Sequence, residues 1–468
     1  MKKGIVKTAG LAVVTASLLS SCSYNESYTE SFDTASINGG AVSEKSVAAG
    51  RKGEMVADSI NNNAESMQSD SLGAVQSFVG TEAQVSNNQN SNNQSNSPET
   101  EPAEQPAEQV EPEESNEDNN DNSELLTAGR WTDNDNWEFF TNIVNADRIK
   151  YPSFGLNPIN RVEITAKDSS GNEAVNAEIV LLDKNNNEVW RARTDNKGKA
   201  YLMADKPGDY KLRINDNDTE EIKIENKNLG EGSTKVANVS KEIVVDNQGY
   251  GKRKIMFLMD TTGSMTDERG DVHADFAKIV KEIADADTKD TEYCFGFYKD
   301  TGDIYDVKVG EFSSDYKEVV KELMQETAIG GTGEPPELVE RALDKAITNN
   351  DNWDTGDLNL LFLIYDAPPH STQEAEELVT KAIKSAASKG IKIIPVFGSV
   401  LGGAGSSGEY GKQAESFGRA ASIMTGGTYV FLTDDSGIGE SHEEPLIGDY
   451  EVKSLHDYIV EIINEYSE

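Results

Sequence analysis

The sequence predicts a doubly wound, mostly parallel, six-stranded α/β domain over residues 251–468, preceded by an all-β sandwich and a disordered N-terminal tether. Three observations carry this prediction. The apolar run 255–259 has the length and composition of a strand buried on both faces of a parallel sheet, and it stops abruptly at Asp260, Thr261 and Thr262. Beyond it, helical and strand patterns alternate to the C-terminus, as they do in a parallel sheet with helices on both faces. Residues 161–250 instead show short strand patterns and turn signals with no helical stretch of useful length, which predicts a sandwich.

Within 251–468 the spacing predicts strands over 255–259, 293–298, 307–312, 358–365, 391–397 and 428–432. Helices are expected over 272–287, 314–325, 336–348, 372–389, 410–424 and 452–466. In the preceding segment, seven strand-like runs fall at 162–167, 177–183, 188–194, 200–204, 209–214, 221–225 and 242–246. Turn-rich pieces such as Asp168-Ser169-Ser170-Gly171 and Asn185-Asn186-Asn187 separate several of them. Residues 127–160 bring Trp131, Trp137, Phe139 and Phe140 into a polar stretch broken by Pro152, Gly155 and Pro158, and read as an extended lead-in.

Composition narrows the partners. Of 468 residues, 43 are Lys or Arg against 83 Asp or Glu, a formal charge of −40. Nucleic acid is excluded as a partner, and docking on anionic lipid through charge is disfavoured. Any membrane attachment must therefore be covalent. The N-terminus offers one: Lys2, Lys3 and Lys7 precede an apolar stretch over 9–19 and then Leu19-Ser20-Ser21-Cys22. This resembles a bacterial lipoprotein signal peptide, residues 1–21, and the resemblance implies cleavage before a lipidated Cys22 and an envelope location, on the outer membrane or cell surface. The apolar core is too short to span a bilayer. With Cys22 lipidated, Cys294 has no partner for an intramolecular disulfide, and its apolar surroundings predict a buried small side chain.

Residues 22–126 are rich in Asn, Ser, Gln, Glu and Pro. Twelve acidic residues and no Lys or Arg lie between Glu82 and Glu124, so this segment cannot bury enough apolar area to offset its chain entropy. It reads as a tether, and a flexible coil of roughly 100 residues has a root-mean-square span of about 55 Å.

Chemistry concentrates where the strand 255–259 ends. In open α/β sheets ligands bind outside the carboxyl ends of the strands, at the point where strand order reverses, so Asp260, Thr262 and Ser264 stand where a site is expected. Later come Gly330-Gly331-Thr332-Gly333-Glu334-Pro335-Pro336-Glu337 and the run Leu361-Phe362-Leu363-Ile364-Tyr365-Asp366. Together these pieces resemble a von Willebrand factor type A domain, whose metal-ion-dependent adhesion site combines a DxSxS motif, a loop threonine and a later strand-end aspartate. The stretch Phe431-Leu432-Thr433-Asp434-Asp435-Ser436-Gly437 is similar to bacterial members. The resemblance implies metal ligation by Asp260, Thr262, Ser264, Thr332 and Asp366, and a ligand held through that metal. Thr262 stands where the motif has its first serine, and Glu334 is a candidate competing ligand.

Hydroxyl and carboxylate oxygens without thiolate or imidazole suit a hard divalent cation, Mg²⁺ first, with Mn²⁺ or Ca²⁺ as alternatives. The expected partner is a protein or glycan offering a carboxylate. Two other readings stay open: a structural or assembly subunit whose metal only stiffens loops, and a metal-dependent hydrolase. Against an enzyme, Thr262 occupies the place of the second carboxylate of a haloacid-dehalogenase-type motif. There is no phosphate-cradling GxxxxGK[ST], no GxSxG and no HExxH, and His273, His370, His442 and His456 are scattered. The segment from Ala177 through Thr194-Asp195-Asn196-Lys197-Gly198-Lys199-Ala200 to Gly208-Asp209-Tyr210 resembles carboxypeptidase-regulatory or Cna-B-like sandwiches, which implies a passive stalk over 161–250.

Overall fold

The computed structural model describes residues 5–7, 126–214, 218–228, 233–265, 269–286, 289–326, 336–398, 409–436 and 444–468. Cys22, Thr332, Glu334 and nearly all of the expected tether lie outside them. The described elements fall in one compact unit, Met1–Val13 with Asp118–Glu468; a second unit, Val14–Glu117, holds none of the described residues.

In chain order the strands are β1 (Ile5–Lys7), β2 (Thr127–Trp131), β3 (Asn160–Lys167), β4 (Glu178–Leu182), β5 (Glu188–Arg193), β6 (Lys199–Met203), β7 (Gly208–Ile214), β8 (Asp218–Ile224), β9 (Asn226–Asn228), β10 (Ser233–Val244), β11 (Arg253–Asp260), β12 (Thr291–Tyr298), β13 (Val307–Val309), β14 (Leu358–Tyr365), β15 (Ile391–Phe397), β16 (Tyr429–Thr433) and β17 (Tyr450–Ser454). The helices are α1 (Trp137–Asn145), α2 (Arg269–Ala286), α3 (Tyr316–Gln325), α4 (Val339–Leu343), α5 (Gln373–Lys389), α6 (Glu409–Thr425) and α7 (Leu455–Ser467).

The main sheet runs in the order β1-β17-β2-β16-β15-β14-β11-β12-β13. Its centre, β16-β15-β14-β11-β12, is parallel throughout. Strand order reverses between β11 and β14: the chain first winds outward through β12 and β13, then returns to the other side of β11 and continues through β14, β15 and β16. In register, Met259 pairs with Ile364, so the residues after both strands leave the sheet side by side.

Helices cover both faces, which is why these strands read as continuous apolar runs. One face buries Ile255, Phe257 and Met259 against Phe276 and Ile279 of α2, Val319 of α3, and Ile459 and Ile462 of α7. The other buries Met256, Leu258 and Leu363 against Val339 of α4, Val379 and Ile383 of α5, and Phe417 of α6. Cys294 is buried in this second cluster. Helix boundaries follow local chemistry. The Thr372 hydroxyl accepts from Ala375 N–H at the start of α5, and Gly390 ends that helix at φ 72°, a left-handed conformation that glycine adopts without strain.

The six expected strands are all present, but the sheet has nine, because three further segments pair along one side. Tyr450–Ser454, expected partly as the start of the last helix, is a strand. The Ser454 hydroxyl accepts from Asp457 N–H at 3.0 Å and so caps α7 there. The helix expected over 336–348 is α4, continued by a wider π-type turn over Asp344–Thr348.

The expected extended lead-in is also corrected. Its start, β2, lies inside the main sheet, antiparallel to β16 and β17, and its aromatic stretch is helix α1. Trp131, Phe140, Ile143 and Val144 find apolar surface there, which a segment read only for its polar residues and turns does not reveal.

Residues 160–244 form two four-stranded sheets, β6-β3-β10-β9 and β5-β4-β7-β8, with all seven expected strand runs and the additional β9. Inward residues such as Val162, Ile164, Ile179, Leu181, Leu202 and Leu212 are buried together. A stalk in series is not what this topology builds. The chain is in the main sheet before these strands, at β2, and returns to it after them, at β11. The two sheets also dock on the α/β domain: Asn176 Nδ2 donates to Thr355 O at 3.0 Å and Asn196 Nδ2 to Glu465 O at 2.6 Å.

A buried ion pair fastens the segment after β2. Arg419 of α6 donates through Nε and a terminal nitrogen to the two oxygens of Asp133, at 2.8 and 2.6 Å, and both side chains are fully buried. Its other terminal nitrogen reaches Glu415 Oε1 at 2.8 Å and Leu446 O at 2.6 Å. Removing one partner of such a pair strands a charge in a low-dielectric interior. Asp133→Ala is therefore expected to cost about 3–5 kcal/mol, read as a lowered midpoint in chemical denaturation.

Candidate metal centre

Two adjacent parallel strands deliver the site. β11 ends on Asp260, which is 3% exposed, and Asp366 follows β14 directly. The turn after Asp260 folds back on its own carboxylate: Thr262 donates to Asp260 Oδ1 through its backbone N–H at 2.9 Å and through its hydroxyl at 2.7 Å. These two bonds fix the carboxylate's orientation and leave Oδ2 aimed elsewhere. Oδ2 is buried and accepts no hydrogen bond among the described residues.

The neighbouring residue secures the turn against β12. Thr261 donates to Tyr298 O through its backbone N–H at 3.0 Å and its hydroxyl at 2.9 Å. The Thr261 carbonyl accepts from the buried Lys299 ammonium at 2.7 Å. Burial lowers the pKa of Lys299.

Of the sequence-predicted residues, the structure brings Asp260, Thr262 and Asp366 together at the carboxyl edge. Ser264 lies in a single 3₁₀ turn, Gly263–Met265, directly after them; its side chain is outside what is described, as is Thr332. Sequence reasoning missed one residue. Glu337, 7% exposed, joins the cluster, so that one carboxylate oxygen each of Asp260, Glu337 and Asp366 lies within 4.8 Å of the others. It closes the loop sequence Gly330 to Glu337, where a Glu at the start of a helix reads as a partner of the helix dipole rather than as a ligand.

Backbone contacts hold it there. Glu337 N–H donates to Pro368 O at 3.3 Å, tying the start of α4 to the loop that follows Asp366. Glu340, one turn on and buried, accepts from His370 N–H at 3.3 Å and meets His370 Nδ1 at 3.0 Å. His370, read from sequence as a loop residue rather than a base, is thus a fastening point between α4 and that loop.

The electrostatics are severe. At the effective dielectric of a protein, two carboxylates at this separation repel by on the order of 3 kcal/mol. Burial, and then the charges of its neighbours, push the Glu337 carboxyl up to about 12. Burial also raises Asp260. Tyr298, fully buried alongside, is held well above its ordinary value by burial and by the charge of Asp260. Such a set must be neutralised by protons or by a cation. Hard oxygen donors, with buried Asp260 Oδ2 and Glu337 Oε2 lacking hydrogen-bond partners, fit a divalent cation.

Residues 254–434 match the family model described as von Willebrand factor A domain. This segment is a von Willebrand factor A domain. The match covers the strand that bears Asp260, the loop and helix that bear Glu337, and Asp366. Among solved structures, the chain is similar to a pilus adhesin, SpaC from Lactobacillus rhamnosus GG, in an open conformation, at 8% sequence identity and a TM-score of 0.32. That similarity covers 62% of this chain and 35% of the adhesin. No curated protein matches the chain.

The cost of assembling these carboxylates has a measurable sign. Asp260→Asn keeps an oxygen for both Thr262 donors while removing a buried charge. It is expected to stabilise the metal-free chain by about 1–3 kcal/mol, and to abolish any rise in melting temperature on adding Mg²⁺.

Proposed function

We propose that the von Willebrand factor A domain is a ligand-binding head that takes a divalent cation on Asp260, Asp366 and the hydroxyls of Thr262, Ser264 and Thr332. Mg²⁺ is the first choice, with Mn²⁺ or Ca²⁺ as alternatives. When bound, the cation supplies an electrophilic centre for an acidic group of a protein or glycan. The observation that carries this reading is the convergence of a buried and a half-buried carboxylate from the ends of adjacent parallel strands, with Asp260 Oδ2 lacking a hydrogen-bond partner. The chain's own residues do the rest. Thr262 orients Asp260, and the contacts among Glu337, Pro368, Glu340 and His370 hold the rim of the site in place.

A structural role for the cation is the second reading, and Glu337 favours it. A third carboxylate lowers the electrophilicity of a bound dication. A hydrolase gains no support from His370, whose ring is engaged by Glu340.

Around the head we propose a lipid anchor at Cys22 in a bacterial envelope, the acidic tether 22–126, and the two four-stranded sheets as a sandwich that braces the head. Among the described residues no helix is long and apolar enough to cross a membrane. Cys22→Ser is expected to shift the protein from the detergent phase to the aqueous phase in detergent partitioning; retention in the detergent phase overturns the anchor.

The head itself is tested on the full mature chain with a panel of immobilised acidic proteins and uronate- or sialate-bearing glycans. Capture in Mg²⁺ should fall at least tenfold with chelator or with Asp366→Ala. If metal binding and stability change but capture never does, the structural reading takes its place.

A further inference from the structure

We propose that Glu337 is a built-in ligand of this cation site, occupying the position an incoming acid needs, so that the head stays self-ligated until a partner's carboxylate displaces it. The proposal rests on the cation reading above and adds to it an internal competitor.

Three observations converge on Glu337. It is 7% exposed, although it lies at the edge of the sheet where ligands arrive. Its Oε2 is buried without a hydrogen-bond partner, while the Thr262 side chain that meets its carboxylate already serves Asp260. One of its carboxylate oxygens lies within 4.8 Å of one from Asp260 and one from Asp366. A buried carboxylate with one oxygen unsatisfied, set beside two others and sharing the Thr262 side chain with Asp260, suits a cation.

The exchange balances without any proton or redox step. One carboxylate oxygen leaves the cation and another enters, and the formal charge around the metal is unchanged. Because the competitor is tethered, it acts at a high effective concentration, and only an acid with further contacts to the rim displaces it. Glu337 stands just before the N-cap of the short helix α4, and its backbone N–H donates to Pro368 O in the loop after Asp366 at 3.3 Å.

The test uses the full mature chain as wild type, Glu337→Gln, Glu337→Asp and Asp260→Ala, with Mn²⁺ alone as the first probe and acetate as the second. Calorimetry reads Mn²⁺ affinity, and water-proton relaxation reads the exchangeable waters on bound Mn²⁺. Glu337→Gln should bind Mn²⁺ at least tenfold more weakly, carry more water per bound ion, and respond to acetate at roughly tenfold lower concentration than wild type. Glu337→Asp, which keeps the charge but is one methylene shorter, should fall between the two and serves where the Gln variant fails to fold. Unchanged affinity and hydration in Glu337→Gln overturn the proposal. Weaker Mn²⁺ binding with unchanged acetate sensitivity makes Glu337 a ligand but not a competitor, and overturns displacement. Mn²⁺ binding that survives Asp260→Ala overturns the cation reading itself, whereas loss in Asp260→Ala with no change in Glu337→Gln overturns only this inference.

Discussion

The register between β11 and β14 is the constraint on which the site depends. Parallel pairing of Met259 with Ile364 places the ends of two neighbouring strands at one level, and each end carries an aspartate. Nothing relaxes their proximity, because helices pack on both faces of the sheet and the strands are buried along their length. A slip of one residue would turn the apolar sets of both strands to the opposite faces. The core therefore enforces a charge arrangement that it would not choose for its own stability. Sites of this kind persist only where the surrounding packing over-determines them.

Bracing comes from sequence that lies outside the head's own run. The chain enters the main sheet at β2, leaves to build two four-stranded sheets, and returns at β11, so those sheets are an excursion from the α/β domain rather than a link in front of it. β2 is hydrogen-bonded to β16 on one side and β17 on the other. Under the proposed anchoring, a pull on the chain before Leu126 loads β2 against β16 along its whole length and against β17 at Ala128 and Thr127. Two flanking strands share that load, and the Arg419–Asp133 pair pins the chain immediately after the strand.

How much of this was legible in the sequence depends on how local each signal is. The strand before Asp260 declared itself because an apolar run ended at once in small polar residues, and the expected strands over 358–365, 391–397 and 428–432 end in the same way. Asp366 was found through its place after another such run. Glu337 was not, since an acid at a helix start is usual and only tertiary structure turns it inward. Thr127–Trp131 was missed for a related reason: its partners, Tyr429–Thr433 and Tyr450–Ser454, lie some three hundred residues away, and nothing local names them. Tyr450–Ser454 was absorbed into the last helix, although Ser454 followed by Asp457 three residues later is a cap-like signal that marks the boundary.

The chain's overall charge of −40 and the chemistry of its site pull in opposite directions, and distance decides between them. At physiological salt, charges beyond roughly 8 Å are largely screened, so the acidic surface weakens long-range attraction of an acidic partner without governing the contact itself. At the site, what matters is how many carboxylates already face the cation. With two, a bound dication is formally neutralised and stays receptive to a further acid; with Glu337 as a third, it is over-neutralised. Under the proposed cation reading, the buried carboxylate of Glu337 sets whether the head is a simple trap for acids or one that must first be opened, and it does so through charge counting rather than through any change in fold.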